Sequence, residues 1–317
     1  MEVLERIFNI ALIAATLRTT APILLVSLGG TFTTKAGIFN IGLEGQMLLG
    51  AFFAVLGSIW TQSALGGVLI GVTASVVVAG IFSLFVVTLR ANEVVVGLAL
   101  NLLAGGLTIT LTKAIFGTRG SIVSGDIVGM PRIELPVIHD LGPLGQMLSG
   151  FTPLVYLSFA MVFVVWLILY RTRIGLHIRV TGEKPAAAEA LGISTAAMQH
   201  IASLFCGVLA GLAGAHLSLG YITMFAENMS SGRGFMAVAV LIFSNGDPVR
   251  VLFGCLLFGF ADALSLRLQT FGLSSYLVLT VPYLVTLAAL FALTYRQRPK
   301  LFRETAETLS LIRRRQA

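Results

Sequence analysis

From Leu65 to Leu89 the chain reads LGGVLIGVTASVVVAGIFSLFVVTL, 25 residues without a charged side chain. An α-helix of about 20 apolar residues spans the ~30 Å hydrocarbon core of a bilayer, so this stretch reads as a membrane span. Working outward, similar runs predict spans near 8–30, 44–62, 94–116, 150–170, 199–221, 250–269 and 277–295, with a short one at 234–244. The short run is about 16 Å long as a helix, too little to cross alone, and reads as a half-helix. The expected fold is all-α: a polytopic integral membrane helical bundle of about 8 to 10 transmembrane helices, some of them broken or half-length.

Composition agrees. Of 317 residues 56% are hydrophobic and 11% charged, where a soluble domain carries roughly 25% charged residues. That leaves no room for a sizeable soluble domain, and 1–317 reads as one transmembrane domain. The net charge of +7 is then a matter of orientation, with no bearing on nucleic acid. Arg171, Arg173, Arg179 and Lys184 fall in the 171–198 loop, and Arg296, Arg298, Lys300, Arg303 and Arg313 to Arg315 in the tail 296–317. The positive-inside rule puts both segments in the cytoplasm and, by counting spans, puts the 117–149 loop outside. Arg18, inside the first run, either faces protein or marks a shorter span that begins after it.

Polar groups at depth must find a partner or line a wet cavity, so they mark the candidate solute path. Phe39, Asn40, Glu44 and Gln46 lie in FNIGLEGQ, where two glycines, two amides and a carboxylate should break a helix. The alternative there is a tight loop with Glu44 capping the next helix. Glu93, Gly97, Asn101, Gly105, Thr108 and Thr112 share one helix face; Glu93 either belongs to that stripe or pairs with Arg90. A third group runs from Gly207 and Gly211, at close-packing spacing, through His216 to Phe225, Glu227, Asn228 and Arg233. His216 is either a packing residue or part of the path. Asp262 is either a helix-packing partner or a proton relay. Leu28-Gly-Gly with Asn40 to Gly45 weakly resembles Leu212-Ala-Gly with Asn228 to Gly234, in opposite directions, as inverted repeats of transporters do. Cys206 and Cys255 sit in apolar runs without ligand spacing and read as packing residues.

In the 171–198 loop, Pro185 suits a first helical turn, the alanines after it propagate the helix, and Gly192 suits its end. With Ala36-Gly-Ile-Phe-Asn-Ile-Gly-Leu-Glu-Gly-Gln46, Asn92-Glu-Val-Val-Val-Gly97, Gly182-Glu-Lys-Pro-Ala-Ala-Ala-Glu-Ala-Leu-Gly-Ile193 and Gly211-Leu-Ala-Gly-Ala-His216, the chain resembles the membrane permeases of bacterial ABC importers. The branch is that of branched-chain amino acids, ribose and nucleosides, and the nucleoside type is the most similar. The resemblance implies an ATP-binding cassette ATPase partner, a second related permease in a heterodimer, an extracytoplasmic solute-binding protein and a surrounding membrane lipid phase. It also implies a bacterial plasma (inner) membrane location with a cytoplasmic C-terminus. By the same resemblance the loop is a coupling helix, with Glu183, Pro185, Ala188, Glu189 and Gly192 facing the ATPase; the family's usual Asn before the proline is Lys184 here.

No lysine follows a glycine, so the chain has no P-loop and ATP must be hydrolysed by a partner. His139, His177, His200 and His216 are scattered without spaced carboxylates or cysteines, so no enzyme activity, metal or cofactor is expected. For substrate the resemblance favours a nucleoside, with Asn40, Gln46 and Asn101 offering hydrogen bonds and Phe39 or Phe225 a stacking face. A sugar or branched-chain amino acid permease is the alternative, and a gradient-driven transporter relying on Glu44, Glu93 or Asp262 is the contrasting class.

Overall fold

The computed structural model describes residues 10–133 and 149–270, with isolated positions at 280, 284–285, 288 and 291. The span expected at 277–295, the tail 296–317 and residues 134–148 of the 117–149 loop therefore lie wholly or largely outside the described residues. In chain order the helices are α1 (Ile10–Lys35), α2 (Leu43–Thr61), α3 (Ala64–Ser83), α4 (Glu93–Phe116), α5 (Pro153–Arg171), α6 (Arg173–Glu183), α7 (Pro185–Ala190), α8 (Thr195–Ala215), α9 (Arg233–Ser244) and α10 (Pro248–Thr270). Among the described residues seven helices are long and apolar enough to span a bilayer.

Local chemistry sets the boundaries. Asn92 caps α4 by accepting from the N–H groups of Val94 and Val95, and Gly117, at φ +67°, ends it. Ser63 caps α3 and Ser194 caps α8 in the same manner. Both α3 and α8 finish in a wider π-helical turn, over Leu84–Thr88 and His216–Tyr221. The first span reaches Lys35, five residues beyond the expected 30, because nothing from Leu24 to Lys35 interrupts the helix. Arg18 settles as protein-facing: α1 runs straight through it, and its guanidinium lies over the Phe151 ring at 5.2 Å.

Burial separates centre from periphery. In α2 83% of the apolar window is buried within the chain, against 22% in α4, so α2 is the axis and α4 turns most of its apolar side chains outward. Such a surface suits lipid, as in Leu102, 79% exposed. Glycines let the central helices touch backbone to backbone, since lipid gives no hydrophobic drive for helices to associate and close packing must supply it. A Cβ on Gly50 would lie 3.0 Å from Gly211 Cα, and one on Gly211 would lie 2.6 Å from Val72 Cα. Gly207, at the expected spacing from Gly211, meets Val76 on α3 in the same way.

The directions of the helices matter for the site. α1 runs from Arg18, beside Phe151, to Lys35, whose carbonyl meets Gly182 at the far end. α8 runs the other way, from Gln199, which donates to the Ala36 carbonyl, toward Tyr221. Each is followed by a turn and then a helix that starts inside the bundle: 36–42 leads into α2 and 222–232 leads into α9. α9, with 12 residues, is about 18 Å long, the half-helix that the apolar pattern implied. The two turn-and-helix units therefore oppose each other in direction, in line with the weak sequence match between them.

Candidate functional site

The amino ends of α2 and α9 meet, and each is satisfied by a side chain from elsewhere. Helix amino ends leave N–H groups without intrahelical partners and carry partial positive charge. At α9 the partner is Glu44, 6% exposed: its carboxylate accepts from Gly232 N–H at 2.8 Å and Gly234 N–H at 2.6 Å. Gly234 is obligatory at this contact, because a Cβ there would fall 2.5 Å from Glu44 Cα. At α2 the partner is Asn101, whose Oδ1 accepts from Gly45 N–H at 2.8 Å while its Nδ2 donates to the Ile41 carbonyl at 3.0 Å. Asn101 lies eight residues along α4 from Glu93, about 12 Å, so the junction sits near mid-depth of a ~30 Å core. Glu44 thus caps a helix, as one reading of FNIGLEGQ had it, but the helix is α9, about 190 residues away.

A cavity of about 880 Å³ opens at this junction. Glu44, Asn101, Asn228, Arg233 and Asp262 supply its polar wall, and Leu98, Leu102 and Phe235 are among its apolar lining. Arg233 Nη2 and Asp262 Oδ2 form an ion pair at 2.9 Å, with side chains only 15% and 16% exposed. Arg233 also reaches the carbonyls of Met229 and Ser230. The turn before α9 puts Asn228, Ser231 and Gly232 at positive φ, a tight fold that brings the backbone N–H groups onto Glu44. The cavity has the size of a small-molecule site, and it offers donors and acceptors in nearly balanced charge, which suits a neutral polar solute. Asp262 is here the partner of Arg233, a pairing the sequence did not join; the signal was an aspartate alone in an apolar run and an arginine at the mouth of the short one. Replacing Asp262 by asparagine should leave the Arg233 guanidinium without a counter-charge and cost roughly 2–4 kcal/mol; thermal unfolding in detergent checks it, and an unchanged midpoint would show that the pair contributes nothing.

The other expected path residues lie apart from the cavity. Glu93 Oε2 accepts from Phe39 N–H at 2.8 Å, so Glu93 holds the turn before α2 and is not paired with Arg90 among the described residues. Asn40 Oδ1 accepts from Gly42 N–H, and its Nδ2 approaches Cys206 Sγ at 3.5 Å. Gln46, fully buried, lies 3.6 Å from the same sulfur. Phe225 is fully buried edge-on to Phe52 and presents no free stacking face. Glu227 and Gly120 exchange two hydrogen bonds, which fasten the two-stranded ladder of β1 (Ser121–Ile122) and β2 (Phe225–Ala226). His216 borders a different cavity, between α1 and α5. Among the described residues no group of three or more His, Cys, Asp or Glu could hold a metal ion.

At the end of the bundle that carries Lys35, α6 and α7 form the loop. Arg179 stacks over the Tyr170 ring at 4.8 Å and donates to the Leu169 carbonyl, which binds α6 to α5. α7 opens on Pro185 and is closed by Gly192 at φ +76°, where Ile193 N–H returns to the Ala188 carbonyl at 3.0 Å. Ala188 is buried beneath it, whereas Pro185, Glu189 and Leu191 are exposed, and Thr195 Oγ1 donates to Glu189 Oε1 at 2.9 Å. Gly182, at the end of α6, packs directly on the Lys35 carbonyl and on Gly37 N.

Comparison with known proteins agrees with this architecture. A guanosine ABC transporter permease of Bacillus subtilis is 34% identical over 294 residues, covering 88% of this chain and 90% of that protein. A Haloferax volcanii protein described as a glucose ABC transporter permease is 34% identical over 276 residues, 84% of this chain and 80% of the relative. A nucleoside ABC transporter permease of Lactococcus lactis is 31% identical, covering 80% and 81%. Residues 12–290 match the family described as branched-chain amino acid transport system, permease component. With its multiple spans, its opposed turn-and-helix units and a match across most of its length, this chain is a multi-pass membrane protein that belongs to that permease family.

Proposed function

We propose that the chain is the membrane-spanning subunit of an ATP-driven importer for nucleosides, working with a separate ATPase, a second related permease and an extracytoplasmic solute-binding protein in a bacterial plasma membrane. The observation that carries this reading is the run of direct contacts from the loop helix to the cavity. α7 follows α6; Gly182 of α6 sits on Lys35 and Gly37; seven residues later Glu44 holds the amino end of α9. A push on α7 from an ATPase would therefore reach the cavity wall through backbone contacts and a buried carboxylate. The cavity itself fits a nucleoside: it has room for a base and ribose, Asn228, Arg233 and Asp262 for their polar edges, and Phe235 as an aromatic face beside them. Relatives named for guanosine and nucleosides support that substrate over the sugar read from the glucose-named one. The gradient-driven alternative is disfavoured because Glu44 and Glu93 accept backbone N–H groups and Asp262 holds Arg233, which leaves each committed to structure. The proposed role is that of a carrier, with the bond-breaking left to the ATPase.

Uptake in proteoliposomes tests this. The assembled complex with ATP should accumulate labelled guanosine at least tenfold faster than glucose or leucine, on the order of what loss of a buried polar contact gives. The isolated chain should transport none; guanosine flux through it alone would make it a facilitator. In the same assay Glu189→Ala and Gly192→Ala, on the exposed side of α7, should lower uptake while the ATPase still turns over. Wild-type uptake by both variants would remove α7 from the coupling role.

A further inference from the structure

Between α1, α5 and the His216–Tyr221 turn lies a second cavity, of about 330 Å³. Its charged lining is Arg18 and Arg132, its other polar side chains are Thr152, His216 and Tyr221, and among the described residues no carboxylate or carboxamide borders it. Guanidinium groups only donate, and the hydroxyls and a neutral imidazole can each donate as well. The wall is thus a set of donors around positive charge. Among the described residues neither arginine forms an ion pair; Arg18 has the Phe151 ring, and Arg132 is exposed at the rim.

Two groups on the floor of this cavity are more specific. Thr152 is 6% exposed and its hydroxyl has no hydrogen-bond partner; His216 is 1% exposed, and its ring approaches the Arg18 backbone without forming a well-aligned hydrogen bond. Buried polar groups are nearly always paired. These two also converge, because a Cβ on Gly220 would lie 2.6 Å from His216 Nδ1 and 3.3 Å from Thr152 Oγ1. Glycine at 220 keeps that space open. Donors therefore approach one volume from three elements: Arg18 from α1, Thr152 from the start of α5, and His216 from the turn after α8.

We propose that this cavity is an anion site that binds a phosphate group. A planar carboxylate is satisfied by one guanidinium from one side, whereas donors arranged around a volume match the oxygens of a tetrahedral phosphate. Arg18 lies within the apolar run of α1, where a guanidinium is costly without a counter-charge. A phosphate seated between Arg18 and Arg132 supplies one. The cavity lies at the end of α1 away from α6 and α7 and opens beside Arg132, so the phosphate belongs either to a phospholipid or to a free phosphate from the aqueous side. The site is separate from the α2 and α9 junction and does not depend on the identity of the transported solute.

The test uses the full chain purified in a phosphate-free neutral detergent. Its thermal unfolding is followed while it is titrated with dioleoylphosphatidylglycerol in one arm and sodium phosphate in the other, against sodium chloride at equal ionic strength. Wild type should show a saturating stabilisation in at least one arm. Arg132→Gln and Arg18→Gln should weaken it about tenfold, as expected for the loss of one charge-assisted contact, while Arg119→Gln, exposed and outside the cavity lining, should match wild type. Saturation by the lipid alone assigns a head group; saturation by phosphate assigns the free ion. Arg132 lies at the rim and its replacement leaves the core intact, so that variant decides the matter if Arg18→Gln does not fold. Binding of neither probe, or equal binding by Arg132→Gln and wild type, overturns the proposal.

Discussion

Glu44→Ala is expected to destabilise the protein by about 3–5 kcal/mol and to abolish uptake, the largest effect of any single side chain at the junction. The carboxylate accepts two backbone N–H groups at 2.8 and 2.6 Å while only 6% exposed. Alanine would leave both donors buried without partners, each costing roughly 1–3 kcal/mol, and would remove the negative charge from the amino end of α9, worth up to about 2 kcal/mol more in a partly buried setting. Glu44→Gln separates these terms. The amide keeps the shape and one acceptor oxygen but carries no charge and brings two donors toward existing donors, so it should fall between wild type and alanine. The measurement is the unfolding midpoint in detergent beside guanosine uptake by the assembled complex. A Glu44→Ala protein that melts and transports like wild type would show that the junction is held by packing alone.

Gly182→Val should have a comparably large effect, on coupling. A Cβ at 182 would run into the Lys35 carbonyl and lie 2.8 Å from Gly37 N. Both are backbone atoms, which cannot swing aside as a side chain can, so the loop must lift off the end of α1. Overpacking of this kind costs typically 1–3 kcal/mol. Since α7 is outside the contact, an ATPase should still dock and hydrolyse ATP. Uptake per ATP should drop by about tenfold or more, since a displacement of an ångström in a positioned contact costs on the order of 100-fold. Gly182→Ala should lie between the two. If uptake per ATP in the valine variant stays within about twofold of wild type, the motion is transmitted by another route and Gly182 only packs.

How much of this was legible beforehand follows from the range of each interaction. The apolar runs marked the spans because a helix in lipid must satisfy its own backbone and cover itself with apolar side chains, and both requirements are local. The short helix at 233–244 was legible for the same reason, as was Gly192 closing α7. FNIGLEGQ was recognisable as a break, since glycines and amides in an apolar run act on their own neighbourhood. What those polar groups bind was not legible, because their partners are brought by folding. Glu44 joins Gly232 across 188 positions, Asn101 joins Gly45 across 56, and Glu93 joins Phe39 across 54. His216 and Asn228 fell in one polar group between Gly207 and Arg233, yet one borders the cavity between α1 and α5 and the other the junction of α2 and α9. A π-helical turn over His216–Tyr221 shifts the register by a fraction of a turn, and such a shift leaves no periodic signal.

The capped amino ends of α2 and α9 bear on leakage. A cell membrane drives any mobile charge with about 2.3 kcal/mol per 100 mV, and a chain with a wet cavity near its middle would short-circuit that voltage if protons could hop between free carboxylates. Here the carboxylates of Glu44, Glu93 and Asp262 are each engaged by backbone N–H groups or a guanidinium. They are anchored links, and among the described residues no further carboxylate lines the junction between them. A junction whose acids are all engaged in this way offers a proton no free carboxylate as a stepping stone, whatever solute it holds.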